Sequence, residues 1–314
     1  MRSIVVGSRG SQLALRQTRE VIERLERLHT GISWRIEVVR TTGDRLGTVP
    51  LTRIGETGLF VKEIEQALIE GRIDLAVHSA KDLPSAIDPS LCVAAYPARE
   101  NPADALVSQA GTLAQLPVGA RVGTGSVRRK AQLLRFRPDL DIVDLRGNLD
   151  TRLAKLDRGE YDAIVVALAG LSRMGWRARA TEILGSDVCL PAPGQGALAL
   201  ECRVGDPVCG LVRPIDDAET RACVNAERAF LAELGAGCRT PVAALAVTQG
   251  DRIRLDALVA AVDGSRVVRR TEIGDPLRPE ELGMRLAGWF VQSSARELLE
   301  DARGGGAVGT MGAP

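Results

Sequence analysis

Histidine is nearly absent from this 314-residue sequence, which holds only two. Lysine is scarce as well: Lys62, Lys81, Lys130 and Lys155 are four of 41 basic residues, which leaves 37 arginines. Six cysteines are present (Cys92, Cys189, Cys202, Cys209, Cys223 and Cys238), but no Cys-x-x-Cys pair. That pattern argues against a zinc site and against a disulfide framework. No charge of one sign dominates, with 41 basic against 40 acidic residues. A bulk basic field for nucleic acid is therefore lacking. No run approaches the roughly 20 apolar residues of a membrane span, and Ile4-Val5-Val6-Gly7 is too short an apolar run for a secretory signal. The expectation is a reducing, cytoplasmic setting without membrane, nucleic-acid or metal partners. What is present is ample apolar material, 45% of the chain. The length exceeds one ordinary core and implies two or three domains.

The first half alternates strand and helix signals. Ile4–Val6 reads as a strand, Ser8–Ser11 as a turn, and Val21, Leu25 and Leu28 as one helix face. Trp34–Val39 is the next strand, and 42–58 is a polar, Gly-rich loop. Val61, Ile64 and Leu68 mark a helix before a strand at Ile73–Val77. This is the βαβ rhythm of a parallel sheet. A second unit starts near Asn101-Pro102, with strands at Arg121–Gly123, Asp141–Leu145 and Ala163–Ala167. Ser126 opens one of its helices, and Leu149, Leu153 and Leu156 form a helix face. Near Leu190–Gly194 the chain is expected to cross back to the first unit. The last third differs in character. A helix at 217–234 shows Cys223, Ala226, Phe230 and Leu234 on one face. Ile253, Leu255, Ala257 and Val259 alternate as in a half-exposed antiparallel strand. Asp263-Gly264 signals a hairpin, and a helix follows Pro279 with Leu282, Leu286 and Trp289 inward. The tail from Gly304 reads as disordered.

In open parallel sheets, ligands sit outside the carboxyl ends of strands. After the first strand come Arg9 and Ser11. After Ile73–Val77 come His78, Ser79, Lys81 and Asp82. After Arg121–Gly123 come Ser126, Arg128 and Arg129. Arg146 and Arg152 follow the next strand, and Arg173 the one after. Strand after strand delivers a cation to the same rim, and arginine makes bidentate pairs with carboxylates. The implied ligand is a small molecule with several carboxylates. Gly123-x-Gly125 resembles a dinucleotide turn, with Asp144 at a ribose-binding distance. The third glycine is missing and Arg128 takes its place, so a helix N-terminus cradling a carboxylate fits better. A cleft-facing Asp82 could stabilise positive charge on a substrate nitrogen or move its proton. Cys238 lies in Gly235-Ala236-Gly237-Cys238-Arg239, where Arg239 could favour the thiolate. The other five cysteines are assigned to packing.

Taken in order, His78–Pro84, Val122–Arg129, Leu145-Arg146-Gly147-Asn148, Pro191–Gly196 and the Cys238 loop resemble the porphobilinogen deaminase (hydroxymethylbilane synthase) family. The resemblance runs from about Ile4 to Leu298. It implies an α/β fold: two doubly wound, type-II periplasmic-binding-protein-like domains, crossed twice by the chain, plus a C-terminal α+β domain. The implied division is 1–98 plus 193–214, then 99–192, then 215–303 with the cysteine loop, and a tail at 304–314. The implied activity is head-to-tail condensation of four porphobilinogen molecules with loss of ammonia, in heme biosynthesis, by a cytoplasmic monomer. The implied cofactor is dipyrromethane, joined to Cys238 by a thioether. Asp82 matches the catalytic carboxylate. Ser79, Lys81, Asp82, Ser126, Arg128, Arg129 and Arg146 match cofactor contacts. Arg9, Ser11, Phe60, Arg146, Arg152, Arg173 and Gln195 match substrate contacts. Thr57 and Arg53 stand where lysine is common in the family, and Gly125 where serine is frequent. Thr57 thus removes a cation from the loop that resembles an active-site cover. A non-catalytic receptor for a polycarboxylate anion would share the arginines, but would need neither Asp82 nor Cys238.

Overall fold

A computed structural model describes residues 2–42, 61–235 and 240–304. Cys238, Phe60, Thr57, Arg53 and the 305–314 tail lie outside the described residues. The first strands are β1 (Arg2–Ser8), β2 (Ile32–Val38), β3 (Leu75–Ser79) and β4 (Leu91–Ala95). Next come β5 (Asp104–Ser108), β6 (Arg121–Gly123), β7 (Asp141–Val143), β8 (Ala163–Ala167) and β9 (Glu182–Leu184). β10 (Leu198–Arg203) precedes β11 (Val242–Gln249), β12 (Arg252–Ala260) and β13 (Val267–Gly274).

Two five-stranded sheets share one plan. The first runs β2-β1-β3-β10-β4 and the second β7-β6-β8-β5-β9. In each, three parallel strands are followed by one antiparallel strand that arrives from the other unit. β10 lies antiparallel to β3 and β4, and β5 antiparallel to β8 and β9. The sheets are therefore mixed rather than parallel throughout, because the chain crosses twice between them. The crossing strands are covered on both faces: β10 is buried at Leu198–Cys202 and β5 at Asp104–Val107.

Helices start where side chains can cap them. Ser11 Oγ accepts from Ala14 N at 3.2 Å to open the helix Gln12–Leu28. Ser126 Oγ accepts from Arg129 N at 3.4 Å to open Val127–Phe136. Each satisfies one of the donors orphaned at a helix start.

The third unit is the antiparallel sheet β11-β12-β13. The helices Ala218–Leu234 and Pro279–Gln292 pack on it through Phe230 and Phe290, whose rings meet edge-on at 5.5 Å. A Cβ on Gly283 would lie 2.3 Å from Ala226 O, so glycine allows these helices to approach. Two expectations change here. β12 is not half-exposed: Asp256, Leu258 and Ala260 are buried as well as Ile253, Leu255, Ala257 and Val259. Its second face meets Ala131 and Leu190 of the second unit. Trp289 packs against this core but is only partly buried, and Arg270 lies over its ring at 4.4 Å. The helix Ala295–Gly304 also reaches the first residue of the expected tail.

One carboxylate ties the three units together. Glu227, on the third unit's first helix, is fully buried and pairs with Arg99 of the first crossing at 2.7 Å. Its Oε2 accepts from Gly194 N of the second crossing at 2.6 Å, and its Oε1 from Ala246 N of β11 at 2.8 Å.

Candidate active site

A cleft of about 990 Å³ opens between the carboxyl ends of the two five-stranded sheets. Its walls are the segments that follow β1, β3, β6, β7 and β8. Among the described residues, Arg9, Arg40, Lys81, Arg128, Arg129, Arg146, Arg152 and Arg173 line it, against one carboxylate, Asp82. Ser11, Ser79, Ser126 and Gln195 line it too. The starts of the helices Gln12–Leu28, Val127–Phe136 and Leu149–Asp157 face the same space, and their partial positive ends add to the attraction for anions.

The arginines do not stand alike. Arg128 and Arg129 are both 5% exposed and share the fully buried Asp104. Arg128 Nη1 reaches Asp104 Oδ2 at 2.7 Å and Arg129 Nη2 reaches Oδ1 at 2.6 Å. Arg128 also donates to Leu190 O at 2.7 Å, and Arg129 to Val165 O at 3.0 Å. Burial alone would raise the Asp104 carboxyl, but the two guanidiniums outweigh it and hold it well below the usual carboxylate range. Gln195 is buried, with Nε2 donating to Asp104 Oδ1 at 2.9 Å and to Pro102 O at 2.7 Å. These residues form a braced wall around Asp104.

Arg146 pairs with Asp144 at 3.0 Å. Arg173 donates to Gly196 O at 2.9 Å and faces Glu20 at 3.4 Å, and burial lowers its guanidinium while Glu20 opposes that. Arg152 differs: its one hydrogen bond among the described residues is from Nε to Gly147 O at 2.7 Å, and no carboxylate pairs with it. Burial, then Arg129 and Arg146, lower its guanidinium to about 10. A cation so placed gains from an anionic ligand that supplies the missing partner.

Lys81 and Asp82 lie on a single 3₁₀ turn after β3. The Lys81 side chain meets the water of the cleft, yet protein rings that cleft closely. Desolvation, with Arg129 and Arg128 nearby, lowers its amine to about 8 against the opposing pull of Asp82 and Asp104. Gly194, at φ 71°, packs against this turn: a Cβ there would lie 3.0 Å from Ala80 C and from Lys81 N. Ser79 Oγ exchanges hydrogen bonds with the buried Gln17, at 3.1 and 3.3 Å. Gly125 stands where the resembled family frequently has serine. A Cβ there would meet Leu145 O at 2.8 Å, so the turn lies close to the end of β7.

Three residues of this site escaped the reading by strand ends. Asp104 opens β5, a strand with no clear period-2 signal. Gln17 looks like an ordinary helix residue. Arg40 follows β2 and lies within reach of the same rule, but falls between the expected strand and the expected loop and is not picked out by either. No group of three His, Cys, Asp or Glu is arranged to hold a metal ion among the described residues. No described helix is long and apolar enough to cross a membrane.

Residues 4–209 match the family model described as porphobilinogen deaminase, dipyromethane cofactor binding domain, and residues 221–292 match that of the porphobilinogen deaminase C-terminal domain. The chain is 50% identical over 299 residues to a porphobilinogen deaminase of Roseiflexus castenholzii, covering 95% of this chain and 98% of the relative. It is 47% identical over 306 residues to that of Desulforudis audaxviator, covering 97% and 99%. It is 49% identical over 310 residues to that of Deinococcus deserti, covering 96% and 100%. These matches span both five-stranded sheets, the cleft between them and the third unit. The chain belongs to the porphobilinogen deaminase family.

Proposed function

We propose that this chain is a hydroxymethylbilane synthase, a transferase of porphyrin and heme biosynthesis. It joins four porphobilinogen molecules head to tail, releases one ammonia at each step, and frees linear hydroxymethylbilane by hydrolysis. The observation that carries this reading is the cleft's imbalance, among the described residues, of eight cationic side chains to one carboxylate. Each pyrrole unit bears an acetate and a propionate, so a growing chain brings many carboxylates to be paired. A dipyrromethane, which Cys238 would hold by a thioether, would supply the pyrrole carbon from which the chain grows. The donor set fits such a group: Ser79, Lys81, Ser126, Arg128, Arg129 and Arg146 all line one cleft.

The chain's own residues then divide the work. Arg128 and Arg129, braced by Asp104, hold carboxylates in a fixed geometry. Arg9, Ser11, Arg146, Arg152, Arg173, Gln195 and Phe60 serve the incoming unit and the elongating product. Asp82 stabilises the positive charge that develops on a pyrrole nitrogen as ammonia leaves, and accepts or returns a proton there. The two crossings support dividing the chain as 1–98 with 193–214, 99–192 and 215–303. We take the enzyme to act as a cytoplasmic monomer without a nucleic-acid partner, a reading supported by its balanced charge.

Two measurements test this. Intact-protein mass spectrometry under denaturing conditions, on enzyme made in a tetrapyrrole-competent host, should show the added mass of two pyrrole units mapping to Cys238. An unmodified but active protein overturns the cofactor assignment. Incubation with porphobilinogen should release ammonia and a linear tetrapyrrole. Ligand bound and recovered unchanged identifies an anion receptor instead.

A further inference from the structure

Three of the cysteines assigned to packing come together outside the cleft lining. Cys92 on β4 pairs in register with Cys202 on β10. Cys209, in the helix Pro207–Val212, lies over them with its Sγ 3.9 Å from that of Cys92. Cys209 donates its S–H to Arg203 O at 3.4 Å, which leaves its sulfur lone pairs for Cys92. Cys202 is fully buried, whereas Cys92 and Cys209 are only partly so. None of the three lines the cleft. We propose that Cys92 and Cys209 are a redox-modifiable pair that closes to a reversible intramolecular disulfide when the enzyme meets a peroxide.

The geometry favours this pair over the others. The two sulfurs touch already, and bonding at about 2.05 Å needs a movement of roughly 2 Å, within the reach of side-chain rotation and a small shift of a six-residue helix at the edge of the unit. Cys202 is held inside the apolar core with Leu198 and Leu200, out of reach of an aqueous oxidant. The chemistry balances: one thiolate attacks a peroxide oxygen and becomes a sulfenic acid as hydroxide leaves. The second thiol then attacks that sulfur and expels water. Two thiols and one hydrogen peroxide give one disulfide and two waters. Burial, then Cys209, push the Cys92 thiol up to about 11, so Cys92 holds little thiolate at neutral pH and closure is slow.

The bond would staple the fold at a chosen place. β4 leads directly into the first crossing, and the helix Pro207–Val212 follows the strand that completes the second. The closed loop spans 117 residues, and long loops gain most from closure. The expected result is an oxidised form with a higher unfolding midpoint and retained turnover, since the cleft residues are untouched.

The test uses the cofactor-loaded enzyme treated with hydrogen peroxide, then denatured, alkylated without reductant and mapped as peptides. Support is a peptide containing Cys92 linked to one containing Cys209, the loss of two alkylatable thiols, and their return with dithiothreitol. Cys209→Ser should abolish the linked peptide and leave Cys92 alkylatable. Mapping of the unsubstituted chain decides the matter if that variant fails to fold. Cys92 and Cys209 both still alkylated after peroxide, a bridge to Cys202 or Cys238 instead, or a sulfinic acid at Cys92 in place of a disulfide overturns the proposal.

Discussion

Asp82 and Lys81 are neighbours in sequence, and the tertiary structure gives them different chemistry. Asp82 makes no hydrogen bond or ion pair among the described residues and faces a cleft crowded with cations. Its carboxylate is therefore free to meet a bound ligand, as the proposed role requires. Asp82→Asn keeps the shape and removes the charge. Turnover should fall by roughly a hundred- to a thousandfold while intact-mass measurement still finds the cofactor, and near-normal turnover would remove Asp82 from the mechanism. Lys81 titrates near the working range, about 8 against its ordinary 10.5. As pH rises through about 8 the amine loses its charge, so the KM for porphobilinogen should climb there. Lys81→Arg should flatten that inflection, and an unchanged pH profile in this variant would exclude Lys81 as its source. The sign for stability is opposite. Between about pH 8 and 10.5 the unfolded chain holds a proton that the folded chain has released, so the fold gains relative stability as pH rises. The sequence pointed to both residues through their motif. It could not reveal that Arg128 and Arg129 are braced by Asp104, because that pairing bridges 24 and 25 residues and depends on a strand with little signal.

Strand ends were the most legible elements. β8 was read at its full bounds, and the starts of the helices after Ser11 and Ser126 follow from capping chemistry visible in sequence. β10 and β11 were not anticipated, nor were the shorter β4, β5 and β9. These last three are three to five residues long, they carry little alternation, and β5 opens with an aspartate, a poor strand former. They become strands because the crossing chain must pair its backbone groups against an existing sheet. The Gly194–Gly196 segment shows what such a crossing demands. Gly194 holds φ 71° beside the backbone of the Lys81 turn. Gly194→Ala combines an unfavourable backbone with a close contact and should cost about 1–3 kcal/mol. Because that contact is with the turn proposed to carry Asp82 to the reaction, kcat should fall as well. A variant with a lowered urea midpoint but full kcat would show that the turn is indifferent to this packing.

At the scale of the molecule, Glu227 joins both crossings to the third unit. Its two oxygens each accept a backbone N–H while Arg99 balances the charge. Glu227→Gln leaves one N–H facing an amide NH₂ and leaves Arg99 unpaired. The expected loss is about 3–5 kcal/mol, or a fall of roughly 5–15 °C in the calorimetric midpoint. A shift of a degree or less would show that the third unit docks without it. The two five-stranded sheets repeat one strand order, yet no internal repeat is visible in the sequence, because many different apolar residues fill the same strand positions equally well. From the sequence alone came the α/β rhythm, the motifs of the family, the separate third unit, and the placing of cations after strands. These follow from local chemistry: periodicity, capping, and the polarity of a strand's end. Only the tertiary structure decided that the sheets are mixed, that Asp104 turns two arginines into a wall while Arg152 pairs with no carboxylate among the described residues, that the third unit buries both faces of β12, and that Cys92 meets Cys202 and Cys209. Each depends on segments far apart in the chain being brought within a few ångströms, and side-chain spacing along one strand or helix carries no record of that.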